Sequence, residues 1–175
     1  EMKLVISYEL TFLLVVAAII YKAGLTINLS EMMAIQQQQG AFIGSISGIL
    51  LFIAIVFCSQ AKLGLVPFDA AEAETEINHG AFIEYSGTPY AVIKLTKYML
   101  LFILPAFIIT ILLGGFRTEG IHILWSVLKV LGVVLLITLI RNTNPRLRID
   151  QAMKFFLVWM NMIVIIAIIL INYGY

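Results

Sequence analysis

Charge is scarce in this sequence. Asp, Glu, Lys and Arg together make up 12% of its 175 residues, against 62% hydrophobic, and the mean hydropathy is +1.04. A water-soluble domain of this length needs a polar surface that so few polar residues cannot make. The net charge of +1 offers no basic excess for nucleic acid. Cysteine is nearly missing: Cys58 stands alone in an apolar run, which excludes a disulfide framework within the chain. One cysteine and two histidines are also too few for an iron–sulfur cluster or a CxxC-type metal centre. Any redox cofactor is therefore expected in a partner. The start, "EMKLVISYEL", lacks the basic n-region and small-residue cleavage site of a signal peptide. Because it begins at Glu1, directly before a hydrophobic segment, the chain is expected to be part of a longer polypeptide.

What the sequence does have is long apolar runs. Five of them, at about 7–26, 40–59, 90–114, 120–140 and 153–172, approach the roughly 20 residues that cross a bilayer. Backbone groups in lipid must be satisfied internally, so each run reads as a helix. The strict alternation of a membrane β-barrel is not seen. The fold class expected is all-α, a polytopic transmembrane helix bundle with an acidic helical loop at 60–89. Basic residues set the orientation. Lys3, Lys62, Lys94, Lys97, Arg141, Arg146, Arg148 and Lys154 fall on one side, and Lys22 and Arg117 on the other. That split puts the acidic loop in the cytoplasm and the C-terminus outside. Gly40, Gly44 and Gly48 recur every four residues and predict a small helix face for close packing. Pro105 should kink the third span. Asn161 is suited to an interhelical hydrogen bond, and the tract Gln36–Gln39 has no evident role.

Acids are few but gathered. Five of the ten, Asp69, Glu72, Glu74, Glu76 and Glu84, lie within "PFDAAEAETEINHGAFIEYSG". Pro67 suits a helix start, and acids in a first turn are favoured by the helix dipole. On a helix Asp69, Glu72 and Glu76 share a face, with Glu72 and Glu76 as like charges one turn apart. Burying that face keeps one carboxyl protonated near neutral pH, and a row of such groups can pass protons. A solvated acidic cap is the alternative, and a metal site from His79 with Glu76 is the weaker one. Glu9 and Lys129 lie inside apolar runs, where a charge costs about 2.5–3.5 kcal/mol at the bilayer centre and so turns towards the bundle interior or water. Each has a structural alternative, an interfacial position for Glu9 and an ion pair for Lys129. Lys94 and Lys97 can snorkel to an interface.

Three motifs carry a resemblance. The run "VPFDAAEAETEINHGAFIEYSG" at 66–87 resembles the PFDxxExExE…EYSG loop of the complex I H-subunit (subunit 1) family, which includes the equivalent subunit of energy-converting [NiFe] hydrogenases. "SYEL" at 7–10 is similar to that family's ISYE segment, and "NPRLRIDQAMKF" at 144–155 to its P-R-x-R-x-D-Q-x-M/L motif. The resemblance implies that this chain matches the last five of the family's about eight membrane helices. It also makes Glu9, Asp69, Glu72, Glu74, Glu76 and Glu84 an acidic path from a peripheral redox arm to an ion-translocating membrane arm. Arg146, Arg148 and Asp150 are then expected to pair with acids or to dock the peripheral arm, with Arg141 in the same basic loop. Lys129 is added to the path from its position alone. The lysines of "TPYAVIKLTKYMLL" look closer to hydrogenase-type members than to respiratory ones.

The expected function is thus a coupling subunit of an ion-translocating oxidoreductase complex in a prokaryotic cell membrane, of energy-converting hydrogenase type. No catalytic residue and no metal ligand is expected in this chain. The partners implied are antiporter-like membrane subunits, a hydrogenase-type large subunit with a NiFe centre, and an iron–sulfur subunit. A quinone-chamber subunit of respiratory complex I is the alternative, with quinone as the acceptor. An autonomous transporter would call for internal repeats, which are not found. A passive scaffold that docks a soluble enzyme through the basic loop at 141–154 is the remaining rival.

Overall fold

The computed structural model describes residues 2–69, 87–116 and 122–174. Every regular element among them is helical. In chain order these are α1 (Met2–Lys22), α2 (Leu29–Gln39), a 3₁₀ turn (Phe42–Gly44), α3 (Ile46–Lys62), α4 (Thr88–Leu112), α5 (His122–Thr143) and α6 (Ile149–Lys154). A π-helical turn (Phe155–Met160) then leads without interruption into α7 (Asn161–Asn172).

Four helical stretches are long and apolar enough to cross a membrane: Met2–Lys22, Thr88–Leu112, Ile123–Thr143 and Ile149–Asn172. At 1.5 Å per residue, their 21 to 25 residues match about 30 Å of hydrocarbon. The fifth expected run is shorter as a helix. α3 has 17 residues, because "GAFIGSISG" breaks into separate pieces. Gly40 has φ of 97° and ends α2, Gly44 closes the 3₁₀ turn, and Gly48 lies in the first turn of α3. The three glycines therefore form no common helix face. Only Gly48 makes a close approach: a Cβ there would overlap the Phe42 carbonyl. Ser45 starts α3 by accepting from the Gly48 N–H at 3.1 Å.

α1, α3 and α7 make the centre of the bundle. α1 and α7 run parallel, since Thr11 meets Asn161 towards one end and Tyr21 meets Asn172 at the other. α3 is antiparallel to both. Lys22, ending α1, donates to Ser45 and Ser47 at the start of α3, while Glu9 pairs with Lys62 in the last turn of α3. The core along this axis is built from Val15, Ile19, Leu51, Ile55, Phe156 and Val164, all essentially inaccessible. α4 and α5 pack against the far side of α3. There Gln60 Nε2 donates to the Ile137 carbonyl at 2.6 Å, and Ile108, Ile109 and Leu112 are buried. α4 runs through Pro105 as one helix.

α2 gives the glutamine tract a role that periodicity could not show. Gln36 is buried, donates to the Thr110 carbonyl at 3.1 Å and accepts from the Gly114 N–H at 2.8 Å. It thereby satisfies backbone groups where α4 ends.

Candidate functional site

Among the described residues, two ion pairs lie at one end of this bundle. In the first, Glu9 on α1 accepts from Lys62 Nζ at 2.9 Å. Phe12, three residues on and so on the same helix face, places its ring centroid 4.3 Å from that ammonium. In the second, Asp69 accepts from Arg146 at 3.0 Å; the aspartate side chain is 11% exposed and the guanidinium 33%. Beside it the Leu147 N–H donates to the Pro67 carbonyl at 3.0 Å, which joins the turn after α3 to the loop before α6.

An aromatic cluster holds the two pairs in register. Phe68, next to Asp69, packs against Phe156 with the rings tilted and their centroids 4.7 Å apart. Tyr8, next to Glu9, meets the same Phe156 edge-on at 6.2 Å. Phe57 and Phe155 complete the cluster. Burying such rings supplies a large apolar area with defined geometry. Phe156 lies in the π-helical turn, a distortion that is frequent at functional sites. Here the Asn161 N–H reaches back to the Phe156 carbonyl. The same carbonyl lies 3.3 Å from the Thr11 hydroxyl, whose shortest contact is 2.9 Å to Asn161 Oδ1. The expected interhelical bond of Asn161 is thus present, between α1 and α7.

The same end carries a cleft of about 300 Å³. Asp69, Lys94, Lys97, Arg141 and Arg146 line it, together with Tyr98, Leu101 and the 63–66 turn. Of the remaining expected residues, Arg148 and Asp150 are exposed at the start of α6, where Asp150 stands in the dipole-favoured first turn. Glu72, Glu74, Glu76 and Glu84 lie outside the described residues, as does His79. Lys129 is not brought to this end. Its Nζ donates to the Leu113 carbonyl at 2.6 Å, just past the C-terminus of α4, where a cation complements the helix dipole. Among the described residues there is no group of three His, Cys, Asp or Glu side chains placed to hold a metal ion.

Sequence reasoning missed three contributors: Lys62 as the partner of Glu9, Thr11 as a polar bridge, and the phenylalanine cluster as the support. The only available signal was that Lys62 and Glu9 both sit near span ends on the side rich in basic residues.

Comparison with known proteins gives the same three segments a common setting. The family model described as NADH dehydrogenase matches residues 1–172. The H subunit of NADH-quinone oxidoreductase from Brevibacillus brevis is 35% identical over 158 residues, covering 86% of this chain and 45% of that protein. The protein of the same name from Dehalococcoides mccartyi is 30% identical over 151 residues, covering 86% of this chain and 41% of that one. The chain thus spans less than half the length of these relatives. Among solved structures, the membrane-bound sulfane sulfur reductase, an archaeal respiratory membrane complex, contains a chain similar at TM-score 0.88 and 26% identity. That match covers 97% of this chain and 57% of the other. The chain belongs to the NADH dehydrogenase family of membrane subunits, that of the complex I H-subunit (subunit 1).

Proposed function

We propose that this chain is the coupling part of an ion-translocating oxidoreductase complex, in which carboxylates at the loop end relay redox events to ion movement. One observation carries the reading. The three motif segments converge: Glu9 of "SYEL" pairs with Lys62, Asp69 of "PFDAAEAE" pairs with Arg146 of "NPRLRID", and one aromatic cluster supports both. A carboxylate held by a cation changes its proton affinity when that cation or its surroundings move. A redox step in a neighbouring arm that disturbs the loop would then shift protons among Glu9, Asp69, Glu72, Glu74, Glu76 and Glu84. Lys129, at the other end of α4, would act as a terminus of the path. Arg141, Arg148 and Asp150 are exposed, as docking a peripheral arm that holds the redox centres would need.

The lysine-bearing stretch after 87 supports an energy-converting hydrogenase-type complex, with a NiFe centre and iron–sulfur clusters in partner subunits. The identity to quinone-linked relatives supports a second reading, a quinone-reducing complex I. Both use the same relay. The test is the complex in proteoliposomes, carrying Glu72→Gln with Glu76→Gln or carrying Glu9→Gln. Ion transport should fall by about a hundredfold or more, the loss typical of a removed proton-transfer group. Redox turnover and ion transport that both survive unchanged would sink the relay and favour a passive scaffold.

A further inference from the structure

We propose that Gln60 is a positioning residue for ion movement: when α3 and α5 part, its Oε1 seats a water molecule that carries protons from the loop-end cleft into the bundle. The inference deepens the coupling reading and rests on the ion movement assigned there. Two independent observations carry it. The first is an unmet acceptor. Gln60 is fully buried, its Nε2 donates to the Ile137 carbonyl at 2.6 Å, and its Oε1 has no hydrogen-bond partner among the described residues. The amide cannot be turned the other way, since Oε1 would then face the Ile137 carbonyl oxygen, acceptor against acceptor. A buried acceptor left dry is costly, so the closed contact is poised to take up a donor.

The second is the loose seating of α5. Its span is 17% buried, against 33% for Met2–Lys22 and Thr88–Leu112. Among its described residues only Ser126, Val133 and Ile137 are buried, a stripe one residue wide along the helix. Parting α3 from α5 at Ile137 therefore breaks little packing. Position gives the donor its source. Gln60 lies one turn before Gly64 and Ile137 one turn before Arg141, and Gly64 and Arg141 both line the cleft. The contact thus stands about 6 Å below the cleft, four residues of helical rise on either side. α5 buries only Val133 and Ile137 at this level, neither with a side-chain donor, so the group that reaches Oε1 comes from the cleft. Water is the smallest donor available there. Oε1 below and a second water towards the cleft supply the two partners that a buried water needs at least. So held, it takes a proton from one neighbouring water as it releases one to the next, with no net change of its own.

The test is X-ray hydroxyl-radical labelling of the complex in proteoliposomes, at rest and during turnover, because such labelling marks side chains beside internal water. Ile137, 1% exposed in the closed contact, should become labelled during turnover of the wild type. Gln60→Leu should abolish that labelling and lower ion transport about tenfold, the worth of one buried hydrogen bond. Gln60→Glu, whose buried carboxyl when protonated offers the same donor and acceptor, should keep both. A wild type in which Ile137 stays unlabelled throughout overturns the proposal without any variant. Labelling or transport that survives in Gln60→Leu overturns it too. Full transport in the complex carrying Glu72→Gln with Glu76→Gln sinks the carboxylate relay instead, and leaves the water entry supported by its labelling and by the transport loss of Gln60→Leu.

Discussion

Two glutamines show how one residue type serves different ends in an apolar bundle. Gln36 uses both its amide groups, on the Thr110 carbonyl and the Gly114 N–H. Gln60 uses only its Nε2, and its Oε1 is buried with no hydrogen-bond partner among the described residues. Truncating a satisfied partner leaves a buried group unmet, whereas removing an unsatisfied one relieves a cost. Gln36→Leu is therefore expected to cost about 1–2 kcal/mol, and Gln60→Leu to stay within about 1 kcal/mol of neutral, in thermal unfolding of the nanodisc-held protein. The Asp69–Arg146 pair calls for a double-mutant cycle. Arg146 is one-third exposed, so solvent screening reduces the coupling below that of a fully buried pair, to about 1–2 kcal/mol. A cycle of Asp69→Ala and Arg146→Ala that returns no coupling would contradict that pairing.

At the scale of elements, the break between α2 and α3 matters most. α3 is central, packed by α1, α7, α4 and α5, yet it is the shortest of the five apolar helices. The 3₁₀ turn at Phe42–Gly44 folds back on it closely enough that only glycine fits at position 48. Gly48→Ala must push the Phe42 backbone away and is expected to lower stability by about 1–3 kcal/mol, the usual cost of overpacking. Equivalent changes at Gly44, where a Cβ meets nothing, should be nearly silent in the same melting assay. A helix face built on all three glycines would instead make both changes costly. The π-helical turn before α7 is the other local departure. It brings the Phe156 carbonyl to Thr11, so Thr11→Val should loosen α1 from α7 by about 0.6–2 kcal/mol, read as a lower unfolding temperature.

For the whole molecule, the antiparallel placement of α3 against α1 and α7 separates two sets of cations. Lys62, Lys94, Lys97, Arg141 and Arg146 gather at the loop end, and Lys22 stands at the other with Ser45 and Ser47. By the preference of positive charge for the cytoplasmic side, we propose that the loop end faces inside. Cysteine labelling in intact cells checks this, because the native Cys58 is inaccessible. Tyr173→Cys should react with a membrane-impermeant maleimide from outside. Thr143→Cys should react only after permeabilisation, and the reverse pattern would invert the orientation.

Much of this is legible along the chain, since the bilayer imposes length and apolarity on every span and those are local properties. The helical class, the five runs and the gathered acids follow from composition and spacing, and the three motif segments from their resemblance to a known family. The pairing of Glu9 with Lys62 joins residues 53 positions apart, and only the antiparallel packing of α1 and α3 could choose it. The glycine repeat misleads because period four describes a helix face only if the helix is continuous, and backbone geometry at Gly40 breaks it. Lys129 reads as mid-span along the chain, whereas tertiary packing turns it to the end of α4. Sequence by itself determined what must leave water; the tertiary structure decided which polar groups, once out of water, would meet, because charges buried far apart in the chain take whichever partners the helix packing presents.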